Sequence, residues 1–237
     1  MALPIASTPL YKLTIPSLKK SVKFRPFFVR EEKALLIAQQ SEDSDTMIDT
    51  LKSVIESCIV DKIKVDDLAV FDIEYIFTQL RARSVGEMIE LVLKCDTCTD
   101  AKASVLYNID LTKVNVTISE DHNKTIPLFD DVGVIMKYPS LDILKKMEKL
   151  DTTDIDTVFD IICSCIDSVY NSEEMFHTKD QKREEVEEFV NNLTQEQFVK
   201  LQKFFDTMPK LEERVKYTCP ICNKNHEKYI QGLESFF

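Results

Sequence analysis

The chain has 237 residues, 44% of them apolar, and a net charge of −11, which suits one large domain or two small ones that fold without disulfide staples. Only three glycines (Gly86, Gly133, Gly232) and three histidines (His122, His177, His226) are present. Glycine-rich phosphate loops, the strained G-x-S-x-G elbow and a His-rich metal site therefore lack their parts, and the acidic balance argues against a general nucleic-acid binder.

The charge is uneven. Residues 1–30 carry six basic side chains and no acidic one, +6 within a chain of −11, which leaves −17 on the rest. Such asymmetry marks either a partner surface or a basic segment folded back on its own acidic body. No charged n-region opens the chain and no apolar run reaches 18 residues, so neither a signal peptide nor a membrane anchor is expected.

In chain order, Tyr11–Ile15 and Val22–Arg25 read as a β-hairpin linked by Pro16–Ser21. Helix formers follow from Val29 to Gln40. Leu51, Val54, Ile55 and Cys58, then Ile73, Ile76, Phe77 and Leu80, each recur at i, i+3, i+4 and i+7, the mark of an amphipathic helix. The second helix should end near Gly86. Residues 87–138 read as mostly strands: 88–94, 103–109, 114–118, 125–129 and 133–138. Helices are expected again from Pro139-Ser140, on the face Ile155, Val158, Phe159 and Ile162, and on Val186, Phe189, Val190 and Leu193. Residues 171–185 read as a charged loop or the start of a solvated helix. Thr194-Gln-Glu-Gln197 is a capping box for a last helix that Pro209 ends. Residues 214–230 read as strand, knuckle, strand.

Seven cysteines are an odd number, and four fall in two C-x-x-C pairs, Cys95/Cys98 and Cys219/Cys222. That pattern suits metal binding in a reducing compartment better than a disulfide framework. Four thiolates satisfy one tetrahedral, structural Zn²⁺, and the two-residue spacing lets a tight knuckle aim both sulfurs at one ion. The two pairs would have to meet across the fold. A redox C-x-x-C should open a helix after a buried strand, whereas these lie between strand-like flanks. His226 could replace one cysteine; with four thiols available it reads as a surface residue or a neighbour of the site. Cys58 and Cys163 read as core residues, with Cys165 across its helix from Cys163. His122 reads as a turn residue and His177 as solvated. No nucleophile–base pair, carboxylate dyad or cofactor fingerprint is found, so no catalytic residue is assigned.

Pro16-Ser-Leu-Lys-Lys-Ser-Val-Lys-Phe-Arg-Pro-Phe-Phe-Val-Arg-Glu-Glu-Lys-Ala-Leu-Leu36, Leu93-Lys-Cys-Asp-Thr-Cys98, Met136-Lys-Tyr-Pro139, Phe204-Phe-Asp-Thr-Met-Pro-Lys210 and Gly232-Leu-Glu-Ser-Phe-Phe237 occur in that order. As an ordered set they resemble the baseplate hub assembly proteins, or hub assembly chaperones, of T-even-type contractile-tailed phages. The resemblance implies a non-enzymatic protein that binds other baseplate hub proteins, in the host cytoplasm during assembly or in the virion baseplate, with no small-molecule substrate. The alternative is a zinc-ribbon nucleic-acid-binding or transcription accessory protein, which would need a basic patch near the knuckles.

The expected fold is α+β: a basic hairpin arm (1–30), a helical bundle as the body (31–86 and 139–212) and a split zinc-ribbon-like β module (87–138 and 213–237). Lys19, Lys20, Lys23 and Arg25, with Phe236 and Phe237, are the expected partner-binding residues.

Overall fold

A computed structural model describes residues 8–41, 43–98, 100, 102–143, 145 and 155–232. The architecture is mixed α+β. The described chain runs β1 (Tyr11–Ile15), β2 (Lys20–Phe24), α1 (Val29–Gln40), α2 (Ser44–Cys58), α3 (Val70–Ser84), β3 (Met88–Lys94), β4 (Ser104–Asp110), β5 (Asn115–Thr117), β6 (Thr125–Phe129) and β7 (Val132–Met136). It continues through α4 (Ile155–Cys165), β8 (Ile166–Tyr170), β9 (Met175–His177), α5 (Arg183–Asn191), α6 (Gln195–Thr207), β10 (Lys210–Thr218) and β11 (Asn225–Gln231). Two compact units result. The first comprises Met1–Val65, Phe71–Thr117 and Lys210–Phe237; the second comprises Asp66–Val70 and Ile118–Pro209.

In the first unit the N-terminal hairpin forms as its alternation requires. Leu13, Ile15, Val22 and Phe24 are buried on one face, while Lys12, Thr14, Ser21 and Lys23 are exposed on the other. Its loop is pinned to α3, where the Ser17 N–H donates to the buried Asp72 carboxylate at 2.9 Å and the Ser17 hydroxyl donates to the other oxygen. At the end of β2 the Glu31 carboxylate accepts from the Phe28 N–H (2.7 Å) and from Arg25 and Arg30 (2.9 Å each). This is the back-reaching half of an N-terminal cap on α1, with two guanidinium groups added. Arg25 also lies over the Phe28 ring, 4.2 Å from its centroid. Burial alone would raise the Glu31 pKa, but the bonds from Arg30, Arg25 and Phe28 N–H, with the Arg25 charge, hold it down at about 2.

β3 and β4 form an isolated antiparallel hairpin in full register from Met88↔Asp110 to Lys94↔Ser104. β10 pairs with β11 on one side and with β5 on the other, through Lys210↔Thr117 and Leu211↔Val116. A buried cluster holds these elements together: Ala82 of α3, Ile89, Leu93 and Ile109 of the β3–β4 hairpin, Leu111, Val114, and Leu211, Val215 and Tyr217 of β10.

The second unit carries a four-stranded antiparallel sheet of order β6-β7-β8-β9. Its core joins Ile126, Leu128, Val134 and Met136 of the sheet to Ile162, Cys163, Val186, Val190, Leu201 and Phe204 of the helices. Gly133 is required here, since a Cβ at that position would collide with the Tyr170 hydroxyl and the Ile126 carbonyl. The Thr194 cap is made in both directions: its N–H donates to Gln197 Oε1 and its hydroxyl accepts from the Gln197 N–H.

One expectation changes, and a second is only partly covered by the described residues. Residues 139–209 are not solely helical, because β8 and β9 occupy 166–170 and 175–177. The alternation Ile166-Asp-Ser-Val-Tyr170 is a strand signal only five residues long, and it abuts α4 with no glycine or proline between. The helix expected from Pro139-Ser140 shows helical backbone at 141–143 and at 145; the rest of that expectation lies outside the described residues.

The Glu31 cluster yields a pH prediction. A carboxylate with a folded pKa near 2 and an ordinary unfolded value stabilises the fold above about pH 4.5, and that contribution fades as pH falls toward 2. Glu31→Gln should therefore lower unfolding stability at pH 7 by about 3 kcal/mol. The deficit should shrink steadily between pH 4.5 and pH 2 in denaturant titrations. A deficit independent of pH would disprove it.

Candidate metal centre

Each C-x-x-C occupies the turn of an antiparallel hairpin. Cys95 directly follows β3, and its N–H donates to the Ala103 carbonyl (3.0 Å) just before β4. Cys219 directly follows β10; its N–H donates to the Lys224 carbonyl (2.9 Å) and its carbonyl accepts from the Asn223 N–H (3.0 Å). The second knuckle has a residue in the left-handed region, a position that usually takes glycine. This glycine-poor chain uses Asn223, with φ 54°, a residue type that tolerates that region. Within the knuckles, backbone N–H groups point at sulfur: Thr97 N–H to Cys95 (3.5 Å) and Ile221 N–H to Cys219 (3.4 Å).

The four sulfurs converge, all within 4.8 Å of one another. Cys95 lies 3.8 Å from Cys222 and Cys219 lies 4.0 Å from Cys98, so the close contacts are between knuckles. Cys95 and Cys219 are buried, and Cys98 and Cys222 are half-buried. The four expected metal-ligating residues are thus brought together across 121 to 127 residues of chain.

The protonation pattern is that of a crowded set of acids. The Thr97 hydroxyl and N–H, then the Cys98 N–H and the Cys219 thiol, draw the Cys95 pKa down to about 5. The Lys224 N–H draws Cys222 down. Cys98 is pushed up to about 12, first by its hydrogen bond to Cys222 and then by burial. Each sulfur that ionises does so at the expense of the next, a conflict that a bound cation removes by favouring thiolate at every position.

A layer of partners surrounds Cys95. His226 Nε2 sits 3.2 Å from the Cys95 sulfur, and its Nδ1 is 3.6 Å from Asp96. The imidazole, with its side chain 10% exposed, stacks on Tyr217 at 5.1 Å. Lys228 pairs with Asp96 at 2.7 Å and donates to the Lys94 carbonyl (3.1 Å), which also accepts the Tyr217 hydroxyl (2.6 Å). His226 is thus a neighbour of the four thiols. Asp96, Tyr217 and Lys228 were not singled out as partners of the site by the sequence reading. For Lys228 the signal was its alternation with His226, which places both on one face of β11.

The other candidate residues separate. Lys19, Lys20 and Lys23 are exposed on the N-terminal hairpin. Arg25 turns inward, 15% exposed, to Glu31. Phe236 and Phe237 lie outside the described residues. Cys58, Cys163 and Cys165 are buried in helices, as read for the first two, with pKa values raised by burial to about 11, 11 and 12. His177 is exposed. His122 is more than a turn residue: it joins Thr207 (3.1 Å) to the Tyr138 hydroxyl (3.0 Å) beside Phe204.

Of the cations beside the knuckles, the three on β10 and β11 are paired. Arg214 engages Glu227 through both nitrogens (2.6 and 2.7 Å), Lys216 lies 3.8 Å from the same carboxylate, and Lys228 is held by Asp96. Among the described residues no helix is long and apolar enough to cross a membrane.

The cysteine environments predict an order of alkylation. In chelator at pH 7, Cys95 and Cys222 should react with iodoacetamide well before Cys58, Cys163 and Cys165, because the thiolate is the reactive form. Peptide mass spectrometry would read the order. Equal labelling of all seven would refute this order.

Comparison with known sequences places these features in context. The family described as T4 bacteriophage base plate protein matches residues 8–237. The baseplate hub assembly protein gp26 of Enterobacteria phage T4 is 24% identical over 228 residues, covering 96% of this chain and 97% of that protein. No solved structure matches.

Proposed function

The chain belongs to the T4 bacteriophage base plate protein family, and we propose that it is a non-enzymatic hub assembly factor or hub component that binds other baseplate proteins. The observation that carries this reading is the end-to-end match to a hub assembly protein, which covers nearly all of both chains. It acts in the host cytoplasm during assembly, or stays in the virion baseplate. Deleting its gene should give particles or assembly intermediates without a complete hub, seen by electron microscopy. Restoring the gene in trans should rescue them. Normal baseplates in the deletion would refute the role.

Cys95, Cys98, Cys219 and Cys222 hold one structural Zn²⁺, so that the two hairpins form a split zinc-ribbon-like module. With zinc–sulfur bonds near 2.3 Å, the edge of a tetrahedral site is about 3.8 Å. The inter-knuckle distances of 3.8 and 4.0 Å fit that edge. Four thiolates fill the tetrahedron and leave no position for a substrate, so the ion supplies cohesion. The nucleic-acid alternative finds no support in the paired cations beside the knuckles.

Metal analysis of protein purified under reducing conditions should give one zinc per chain. Zinc binding is worth about 10–16 kcal/mol in small zinc domains, so Cys219→Ser should make residues 214–232 protease-sensitive. The buried cluster around Leu111 and Leu211 should persist. His226→Leu, which removes a hydrogen-bond partner of Cys95, should weaken zinc retention against a chelator by about 10–100-fold. Zinc well below half occupancy would refute the site. Unchanged retention in His226→Leu would refute only the role of His226.

A further inference from the structure

The N-terminal hairpin carries a charge arrangement that its own fold does not use. The Arg25 N–H donates to the Cys58 carbonyl at 3.0 Å, and the Lys23 carbonyl accepts from the Val60 N–H at 2.9 Å. The Lys23 N–H donates to the Asp61 carboxylate. The backbone of Lys23 thus points away from β1, toward residues 58–61. Hydrogen-bonding direction alternates along a strand, so Lys12↔Lys23 is a non-bonded cross-strand pair. In such pairs the Cα atoms lie only about 4.5 Å apart and the side chains are at their closest. Two ammonium groups are therefore set side by side on the exposed face, an arrangement that costs stability in a sheet. Lys19 and Lys20 follow at the loop. Among the described residues none of these four lysines forms an ion pair with a carboxylate.

The same alternation fixes the other edge of the hairpin. Tyr11, Leu13 and Ile15 bond to β2, so the N–H and C=O groups of Lys12 and Thr14 point outward from β1. Among the described residues β1 pairs with β2 alone. Lys12 and Thr14 are exposed, and Leu10 at the start of the edge is 57% exposed. The inner face of the hairpin is buried, and its loop is anchored to Asp72, so the edge is held rigid.

We propose that the outer edge of β1 receives an extended acidic segment of a partner protein as a third strand, with a carboxylate in the row of Lys12 and Lys23. Strand addition supplies main-chain hydrogen bonds, and the lysine pair supplies charge selection. Neutralising the pair removes a repulsion present in the free protein. An anionic protein segment fits better than nucleic acid, because the outward N–H and C=O groups of Lys12 and Thr14 form a strand edge that only another peptide main chain can pair in register. The rival is that lysines on an edge strand only keep other strands away.

This inference deepens the partner-binding reading, and its test uses purified full-length protein without phage, so its failure leaves the hub assignment to the gene deletion. The probe is a short fluorescent peptide alternating glutamate and valine, with a lysine–valine peptide and single-stranded DNA as controls. The glutamate peptide should bind and slow hydrogen exchange at the Lys12 and Thr14 amides. Thr14→Pro removes only an outward N–H, a position where edge strands accept proline; it should weaken binding roughly tenfold or more. Lys12→Glu with Lys23→Glu should do the same with an unchanged melting temperature, since exposed charges contribute little to stability. If Thr14→Pro fails to fold, amide exchange and the charge variant still decide the matter. No binding of the glutamate peptide, equal binding of the lysine peptide, equal protection by DNA, or binding indifferent to Thr14→Pro would each overturn the proposal.

Discussion

The short pairing of β5 with β10 is the constraint on which the first unit depends. Residues 118–209 leave that unit after Thr117 and return at Lys210, and these two residues are cross-strand partners. Closing so long an excursion costs conformational entropy that rises only slowly with its length, so a modest set of contacts can hold it. Those contacts are the three paired positions and the buried cluster of Val114, Leu211 and Val215 around them. Once β10 is placed beside β5, Tyr217 reaches Lys94 and the two cysteine hairpins are delivered to the same place.

The thiol cluster is a consequence of that placement and also a problem it creates. Four sulfurs within 4.8 Å cannot all ionise unless positive charge stands among them. The surrounding groups are arranged to steady sulfur: knuckle N–H groups, the Thr97 hydroxyl and His226 all face it. Nearby cations are turned to carboxylates, Lys228 to Asp96 and Arg214 to Glu227, which holds the hairpin surface together and leaves little for an external phosphate. A cluster of this kind joins the turns of two hairpins distant in sequence, which suits a structural part in baseplate assembly.

The basic N-terminal segment resolves into two roles. Arg25 is spent internally, on Glu31 and the Phe28 ring, where it fixes the passage from β2 into α1. The lysines remain outside because strand alternation gives them no choice. With Leu13, Ile15, Val22 and Phe24 in the core, residues 12 and 23 must face solvent, and they must face it together. Cations turned inward and cations facing solvent therefore coexist at different residues of the segment.

Local pattern determined much of this protein. Alternation specified β1 and β2; the i, i+3, i+4 spacing specified α2, α3 and α5; Thr194 and Gln197 specified the start of α6; and paired C-x-x-C spacing specified the four cysteines that cluster. These signals depend on neighbours a few residues apart, so they are legible without the fold. The strand Ile166–Tyr170 was illegible because it is short and joins a helix with no breaker between. Partners distant in sequence were beyond reach for a different reason. That Cys95 meets Cys222 and His226, that Arg25 turns to Glu31, and that Lys12 stands opposite Lys23 depend on register and burial. Register is set by which faces the core claims, and only the tertiary structure, by burying one face of each hairpin, decides that.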